Sequence, residues 1–192
     1  MKITRVEIRS VAPPSERFTW SDDLPDQFAT NTVVRILTDT PLEGVAGVWN
    51  ATSYDYDRYT GEAIRHLAPV LLGRDPLLRE DIRYAVRPRV WPLPPQALAA
   101  LDIALWDLAG KAANLPLYQL LGGARSRIPA YASTPLFESV DAYLEQAQAF
   151  IDQGYRAIKF HTWCIPERDL ALARAVRQAY PGDDIAFMLD AE

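Results

Sequence analysis

The sequence has one cysteine and no long apolar run, and each shortage excludes a class of protein. Cys164 has no second cysteine in the 192 residues to form an internal disulfide, which is typical of a reducing compartment. No stretch reaches the roughly 18 apolar residues of a membrane-spanning helix, and the first ten residues lack the apolar centre of a signal peptide. We therefore expect a cytoplasmic protein that does not enter a membrane.

An excess of positive charge is also missing. The net charge is -5 and no run of basic residues occurs, so the sequence argues against nucleic-acid binding. Apolar residues make up 49% of the chain and charged residues 23%, which indicates a globular chain with a sizeable core.

Lysine is scarce as well, with three lysines beside seventeen arginines. An arginine stays protonated, whereas a lysine can exchange its proton when its surroundings disfavour the charge. Lys159, on a predicted strand, therefore fits a role in proton transfer. The alternative is an ammonium group that simply lies in water at the end of the strand.

The first half of the chain predicts three strands followed by helices. Along residues 2–11, Thr4, Val6 and Ile8 alternate onto one face, and residues 32–38 and 44–49 follow as strands with a short link, which predicts an antiparallel meander. Helical spacing then predicts helices at residues 62–72, within 77–86 and at 95–113.

Two acidic residues of the longest predicted helix are interpreted as structural. Asp107 precedes Lys111 by four residues, the favourable order for an ion pair on one helix face. Asp102 lies near the apolar stripe of the same helix, and we expect it to be a paired structural acid or to face the end of a neighbouring helix, without a chemical role.

From Ile128 the pattern changes to strands that alternate with single amphipathic helices, which predicts parallel β/α units. Strands are expected at residues 128–134, 157–161 and 185–189, and helices at 139–153 and 167–180. We place a domain boundary near residues 125–127, which divides the chain into domains 1–126 and 127–192.

The second of these strands, YRAIKFH, carries the chemistry. Successive side chains on a strand point to opposite faces, so Lys159 and His161 share one face. The next strand ends in the carboxylate of Asp190. An amine, an imidazole and a carboxylate at neighbouring strand ends are the parts of an enzyme site.

Four segments together resemble the N-terminal half of an enolase-superfamily enzyme of the mandelate racemase and muconate-lactonizing type. They are ALDIALWDLAGK from Ala100, PLYQLLGG from Pro116, GYRAIKFH from Gly154 and LDAE from Leu189. The resemblance covers essentially the whole chain. It implies an α+β capping domain, with a three-stranded antiparallel meander and a helical bundle, followed by the start of a (β/α) TIM-like barrel, truncated after about its third strand.

The same resemblance implies roles for the site residues. Lys159 corresponds to the first lysine of the family's Lys-x-Lys motif, and His161 replaces the second, as a group that can remove or return a proton. Asp190 corresponds to the first Mg²⁺ ligand. Glu192, where the family commonly has asparagine, is expected first as a partner that supports the metal ligand, or else as a substrate or metal contact.

Two irregular segments match loops that close over the substrate in this family, at residues 15–31 and 49–59. The resulting substrate-loop candidates are Trp20, Trp49, Asn50 and Tyr54. Both tryptophans could equally plug the seam between cap and barrel.

The resemblance implies Mg²⁺-dependent removal of the proton α to a carboxylate, through an enediolate. The tyrosine-rich second loop favours dehydration of a sugar acid; a racemase, epimerase or cycloisomerase is the first alternative, and a non-catalytic binding protein with the same fold is the second. We expect a small-molecule carboxylate as partner and a homo-oligomer at full length. The other metal ligands and a second base are expected beyond residue 192, so that this piece alone should be inactive.

Overall fold

The structure is a computed structural model that describes residues 1–12, 19, 27–52 and 57–190. The described residues form two compact units, with the division between residues 126 and 127; Thr19 and Gln27 group with the second unit. None of the described helices combines the length and apolar character that crossing a bilayer would need.

The elements follow one another in the order three strands, four helices and then alternating strands and helices. They are β1 (Ile3–Val11), β2 (Phe28–Thr38), β3 (Glu43–Thr52), α1 (Arg58–Leu71), α2 (Arg79–Val86), a 3-10 turn (Arg87–Arg89), α3 (Pro95–Ala113), α4 (Leu117–Leu120), β4 (Ala132–Ser133), α5 (Val140–Asp152), β5 (Ala157–His161), α6 (Pro166–Ala179) and β6 (Ala186–Asp190).

The sheet of the first unit is the predicted antiparallel meander, in the order β1-β2-β3. The alternation predicted for β1 is wrong at its start, because the register shifts between Ile3 and Arg5. This irregularity turns Ile3 into the core, where it is 1% exposed, while Thr4 is exposed.

Helix α3 packs against this sheet through its apolar stripe, which includes the buried Leu101, Leu105 and Leu108. The approach is close at Gly44, where an added Cβ would lie 2.0 Å from the carbonyl oxygen of Ala104. Glycine is therefore required at this crossing by space.

Polar contacts complete the same packing. The carboxylate of Asp107 accepts from the backbone N–H of Val45 at 2.8 Å and from Lys111 at 2.6 Å, and the Lys111 ammonium also donates to the carbonyl of Glu43 at 2.9 Å. The predicted i,i+4 pair is confirmed, and it also joins α3 to the edge of β3.

The two predicted loops are shorter in the structure than in the sequence interpretation. Strand β2 already begins at Phe28, β3 continues through Thr52, and α1 begins at Arg58 rather than at Glu62. Asp57 caps α1 by accepting from the backbone N–H of Thr60 at 3.0 Å, a helix-start signal that the sequence contained.

The second unit has the parallel sheet β4-β5-β6 with α5 and α6. The predicted β/α alternation is confirmed, although β4 comprises two residues rather than the expected 128–134. Ile158 and Phe160 on β5 are fully buried, together with Tyr143 of α5 and Leu172 of α6.

Candidate active site

Strand β5 begins where α5 has ended in a glycine. Gly154 has φ +95°, its N–H donates to the carbonyl of Ile151 at 2.9 Å, and the N–H of Tyr155 donates to Phe150 at 3.1 Å. A left-handed residue at this place ends a helix and redirects the chain. The alternating residues that follow pair with β4 and β6 on both sides.

The predicted sharing of one strand face is confirmed for β5. Ile158 and Phe160 point into the core, while Lys159 and His161 are half-buried on the opposite face. Asp190 is the register partner of His161 on β6. Register partners in a parallel pair face the same side, so all three predicted side chains lie on one face of the sheet.

The three side chains also meet at their tips. Nζ of Lys159 forms an ion pair with Oδ2 of Asp190, and Nε2 of His161 lies 3.6 Å from the same oxygen. The side chains are 20–25% exposed, so they are accessible yet partly shielded from water. An ammonium, an imidazole and a carboxylate therefore share one small space.

The charge state of Asp190 follows from this contact. The hydrogen bond from the Lys159 ammonium group lowers the pKa of Asp190 below its usual range; partial burial acts in the opposite direction and is outweighed. Asp190 is accordingly an anion at neutral pH, the form in which a carboxylate binds a divalent cation.

The ring of His161 is oriented by a backbone group. Nδ1 lies 2.5 Å from the carbonyl oxygen of Thr134, the residue that follows β4. A carbonyl oxygen can only accept, so Nδ1 carries the proton in this contact. In the neutral ring Nε2 then has the lone pair, and it is Nε2 that faces Asp190.

Sequence reasoning missed Tyr143 of α5, whose hydroxyl donates to the carbonyl of His161 at 2.5 Å. Tyr143 and Ala147 lie four residues apart on one face of α5, and both residues are 0% exposed. The available signal was its residue type, because a buried tyrosine usually finds a hydrogen-bond partner for its hydroxyl group.

The predicted substrate-loop residues lie in different parts of the chain. Asn50, in the first unit, donates through Nδ2 to Asp57 at 2.5 Å and to Thr60 at 3.1 Å, so it supports the start of α1. Trp49 is 51% exposed on β3. Three predicted residues, Trp20, Tyr54 and Glu192, lie outside the described residues.

The described residues fit part of a magnesium site. Asp190 supplies the hard oxygen donor that Mg²⁺ prefers. Within residues 1–12, 19, 27–52 and 57–190, no cluster of three or more histidine, cysteine or acidic side chains is suited to hold a metal ion. Asp190 can therefore contribute one ligand of a set that needs further ligands.

Comparison with known proteins decides the family. Residues 19–122 match the family described as mandelate racemase / muconate lactonizing enzyme, N-terminal domain. The chain belongs to this family. The match covers more than half of the sequence, and it confirms the resemblance to this branch of the enolase superfamily.

Similar proteins are enzymes or are grouped with enzymes. The D-galactonate dehydratase family member RspA of Cellvibrio japonicus is 40% identical over 132 residues, which are 66% of this chain and 32% of that protein. A crystal structure of a Pseudovibrio sp. protein assigned to the mandelate racemase/muconate lactonizing enzymes is 37% identical, has a TM-score of 0.90, and matches 99% of this chain and 51% of that one.

A third similar protein was crystallised with a metal ion. The dipeptide epimerase of Enterococcus faecalis, in complex with Mg and the dipeptide L-Leu-L-Tyr, is 27% identical with a TM-score of 0.81; the match covers 100% of this chain and 54% of that one. The chain thus spans about a third of the length of the curated relatives and about half of the solved chains.

Proposed function

We propose that this chain belongs to a Mg²⁺-dependent enzyme that removes the proton α to a carboxylate through an enediolate, and that the reaction is the dehydration of a sugar acid. The observation that carries the proposal is the convergence of Lys159, His161 and Asp190 on one sheet face, with Nε2 of His161 3.6 Å from Oδ2 of Asp190. The galactonate dehydratase name of a relative supports the choice of a sugar acid.

Each of the three side chains has a role in this proposal. His161 exchanges the proton through Nε2, since Nδ1 is engaged with the carbonyl of Thr134. The Lys159 ammonium group holds and orients the substrate carboxylate. Asp190 would hold the metal, and Glu192 would support that ligand from its place two residues later on the chain.

When bound, Mg²⁺ would supply positive charge beside the substrate carboxylate and make the α-proton more acidic. The protein's own part is to keep the two basic side chains in position and to limit the access of water. The substrate-loop candidates Trp20, Trp49, Asn50 and Tyr54 remain proposals, as do the other ligands and the second base in the rest of the protein.

We further propose that residues 1–126 cap the active site and that residues 127–192 form the first β/α units of a barrel. The parallel order β4-β5-β6 with intervening helices supports the second part of this proposal, because a (β/α) barrel is built from parallel strands that are each followed by a helix. A homo-oligomer of the whole protein is part of the same proposal.

A racemase, epimerase or cycloisomerase is the second candidate, and the observation that favours it is the similarity to the dipeptide epimerase. Both candidates begin with removal of the same α-proton. Incubation of the whole protein with Mg²⁺ and a panel of aldonic and aldaric acids in D₂O distinguishes them: dehydration gives a 2-keto-3-deoxy acid, whereas the alternatives give deuterium at the α-carbon without loss of water.

Variants test the assigned roles in the same assay. We expect His161→Asn and Lys159→Met to abolish α-proton exchange, and Asp190→Asn to weaken the binding of Mg²⁺ measured by calorimetry. Asp183→Asn is the matched control, since Asp183 precedes β6 and is fully exposed. Unchanged α-proton exchange in His161→Asn would contradict the role assigned to His161. Unchanged biological activity in the same variant would support a non-catalytic binding protein and contradict the proposal.

A further inference from the structure

Tyr143 is a fully buried residue of α5 that touches the backbone of the site. Its hydroxyl group donates to the carbonyl of His161 at 2.5 Å and accepts from the backbone N–H of Phe137 at 3.1 Å. Its ring packs edge-on against Phe160 and Trp163, with centroid distances of 5.5 and 5.1 Å. One side chain thus combines core packing with two hydrogen bonds to different backbone segments.

These two segments are the ones that orient the ring of His161. Phe137 follows Thr134 by three residues, and the carbonyl of Thr134 accepts the hydrogen bond from Nδ1–H of His161. The N–H of Thr134 in turn donates to the carbonyl of Lys159 at 2.9 Å. The Tyr143 hydroxyl therefore spans the end of β5 and the segment after β4, and their separation sets the distance from Nδ1 to its acceptor.

We propose that Tyr143 is a positioning residue for His161: its hydroxyl group holds the two segments so that Nδ1 donates to Thr134 and Nε2 faces Lys159 and Asp190. The consequence for turnover rests on the proposed function, but the orientation and tautomer of the ring do not. Because Tyr143 is 0% exposed, water cannot easily replace either of its hydrogen bonds.

The imidazole tautomer provides a direct readout. In the whole protein labelled with ¹⁵N at its histidines, the signals of His161 are identified by their loss in His161→Asn, so that this one imidazole can be observed. At alkaline pH, where an ordinary imidazole is neutral, we expect His161 to show the Nδ1–H form, with a pyridine-type Nε2 signal.

Tyr143→Phe keeps the ring packing and removes the hydroxyl group. We expect the ratio of the Nδ1–H form to the Nε2–H form of His161 to fall by about three- to tenfold. This factor corresponds to the net free-energy contribution of one neutral hydrogen bond. Tyr180→Phe is the matched control, because the hydroxyl of Tyr180 donates to the side chain of Gln148 at 3.1 Å, and the tautomer ratio should not change.

In the whole enzyme, Tyr143→Phe should lower kcat by about ten- to a hundredfold with little change in KM, as expected for a misplaced reacting group. A wild-type protein without turnover would contradict the proposed function and leave the tautomer measurement intact. Finding the Nε2–H tautomer of His161 in the wild-type protein would overturn the positioning role. An unchanged Nδ1–H to Nε2–H ratio in a folded Tyr143→Phe variant would also overturn it.

If Tyr143→Phe does not fold, two measurements on the wild-type protein still test the positioning role of Tyr143. The amide of Phe137 should then be protected from hydrogen exchange by its bond to Tyr143, and His161 should show the Nδ1–H form. A rapidly exchanging Phe137 amide in folded protein would contradict the proposal.

Discussion

The Lys159 ammonium group forms an ion pair with Asp190, which lies two residues beyond Met188, the register partner of Lys159 on the neighbouring strand. The pair is thus diagonal across two parallel strands, and it leaves His161 directly opposite Asp190. This arrangement brings a cation, a carboxylate and an imidazole close together on one face of the sheet. The main electrostatic effect of this arrangement is on the ionisation of Asp190.

Removing the partner of Asp190 should change its ionisation. The hydrogen bond from Lys159 lowers the pKa of Asp190, so Lys159→Met should raise that pKa toward the ordinary aspartate range. Carboxylate ¹³C chemical shifts, followed through a pH titration of chelator-treated protein, measure it. Lys111→Met, which removes a lysine paired with Asp107 instead, should leave Asp190 unchanged. An unaltered Asp190 titration in Lys159→Met would contradict the pairing.

The cap of α1 should make the protein sensitive to acid. Burial, the largest single influence, raises the pKa of Asp57, but hydrogen bonds from Thr60, Asn50 and Thr32 together outweigh it and hold the pKa below its ordinary value. The charged form therefore stabilises the fold above the ordinary aspartate pKa, and this contribution is lost as the pH falls through the lowered value.

Asp57→Asn removes the charge and keeps one acceptor for the cap. We expect it to reduce the free energy of unfolding by about 1–3 kcal/mol at neutral pH, with a smaller difference from wild type at low pH. Urea denaturation at several pH values measures this. Asp81→Asn, at an exposed ion pair with Arg74, should cost less than about 1 kcal/mol. A difference from wild type that is independent of pH would argue against a charged Asp57.

Gly44 should tolerate no larger residue. In Gly44→Ala the new Cβ would lie 2.0 Å from the carbonyl oxygen of Ala104, so β3 and α3 must separate, at a cost of about 1–3 kcal/mol or more. Gly47→Ala is the control on the same strand, because nothing lies within 4 Å of its added Cβ. Thermal unfolding should separate the two variants, and equal stabilities would contradict the described contact.

Asp102 should prove structural, as the sequence indicated. Its Oδ1 lies 3.8 Å from Arg79, whose guanidinium carbon stacks 3.3 Å above the centre of the Trp106 ring. We expect Asp102→Asn to change the free energy of unfolding by less than about 1 kcal/mol, and Arg79→Ala to cost more because it also removes the stacking. Loss of α-proton exchange in a stable Asp102→Asn variant would give Asp102 a chemical role.

The sequence by itself indicated which side chains could carry out the proposed chemistry, and it determined that Lys159 and His161 share one face of their strand. Alternation along a strand is local geometry, so the spacing of Lys159 and His161 was sufficient to place them together. The meander and the β/α units were equally predictable, because the spacing of apolar residues and the turn residues between elements indicate each strand and helix locally. The ends of the elements were harder to predict. The burial of Ile3 depends on a register shift in β1, and the start of α1 depends on a capping contact.

Only the tertiary structure decided how those residues are connected to one another. The ion pair of Lys159 with Asp190, the carbonyl of Thr134 on Nδ1 of His161 and the hydroxyl of Tyr143 beneath it join segments up to 31 residues apart along the chain. Such contacts depend on the register of neighbouring strands and on the rotation of a helix over the sheet. No local period encodes either quantity, since both arise from packing between elements that are distant in sequence.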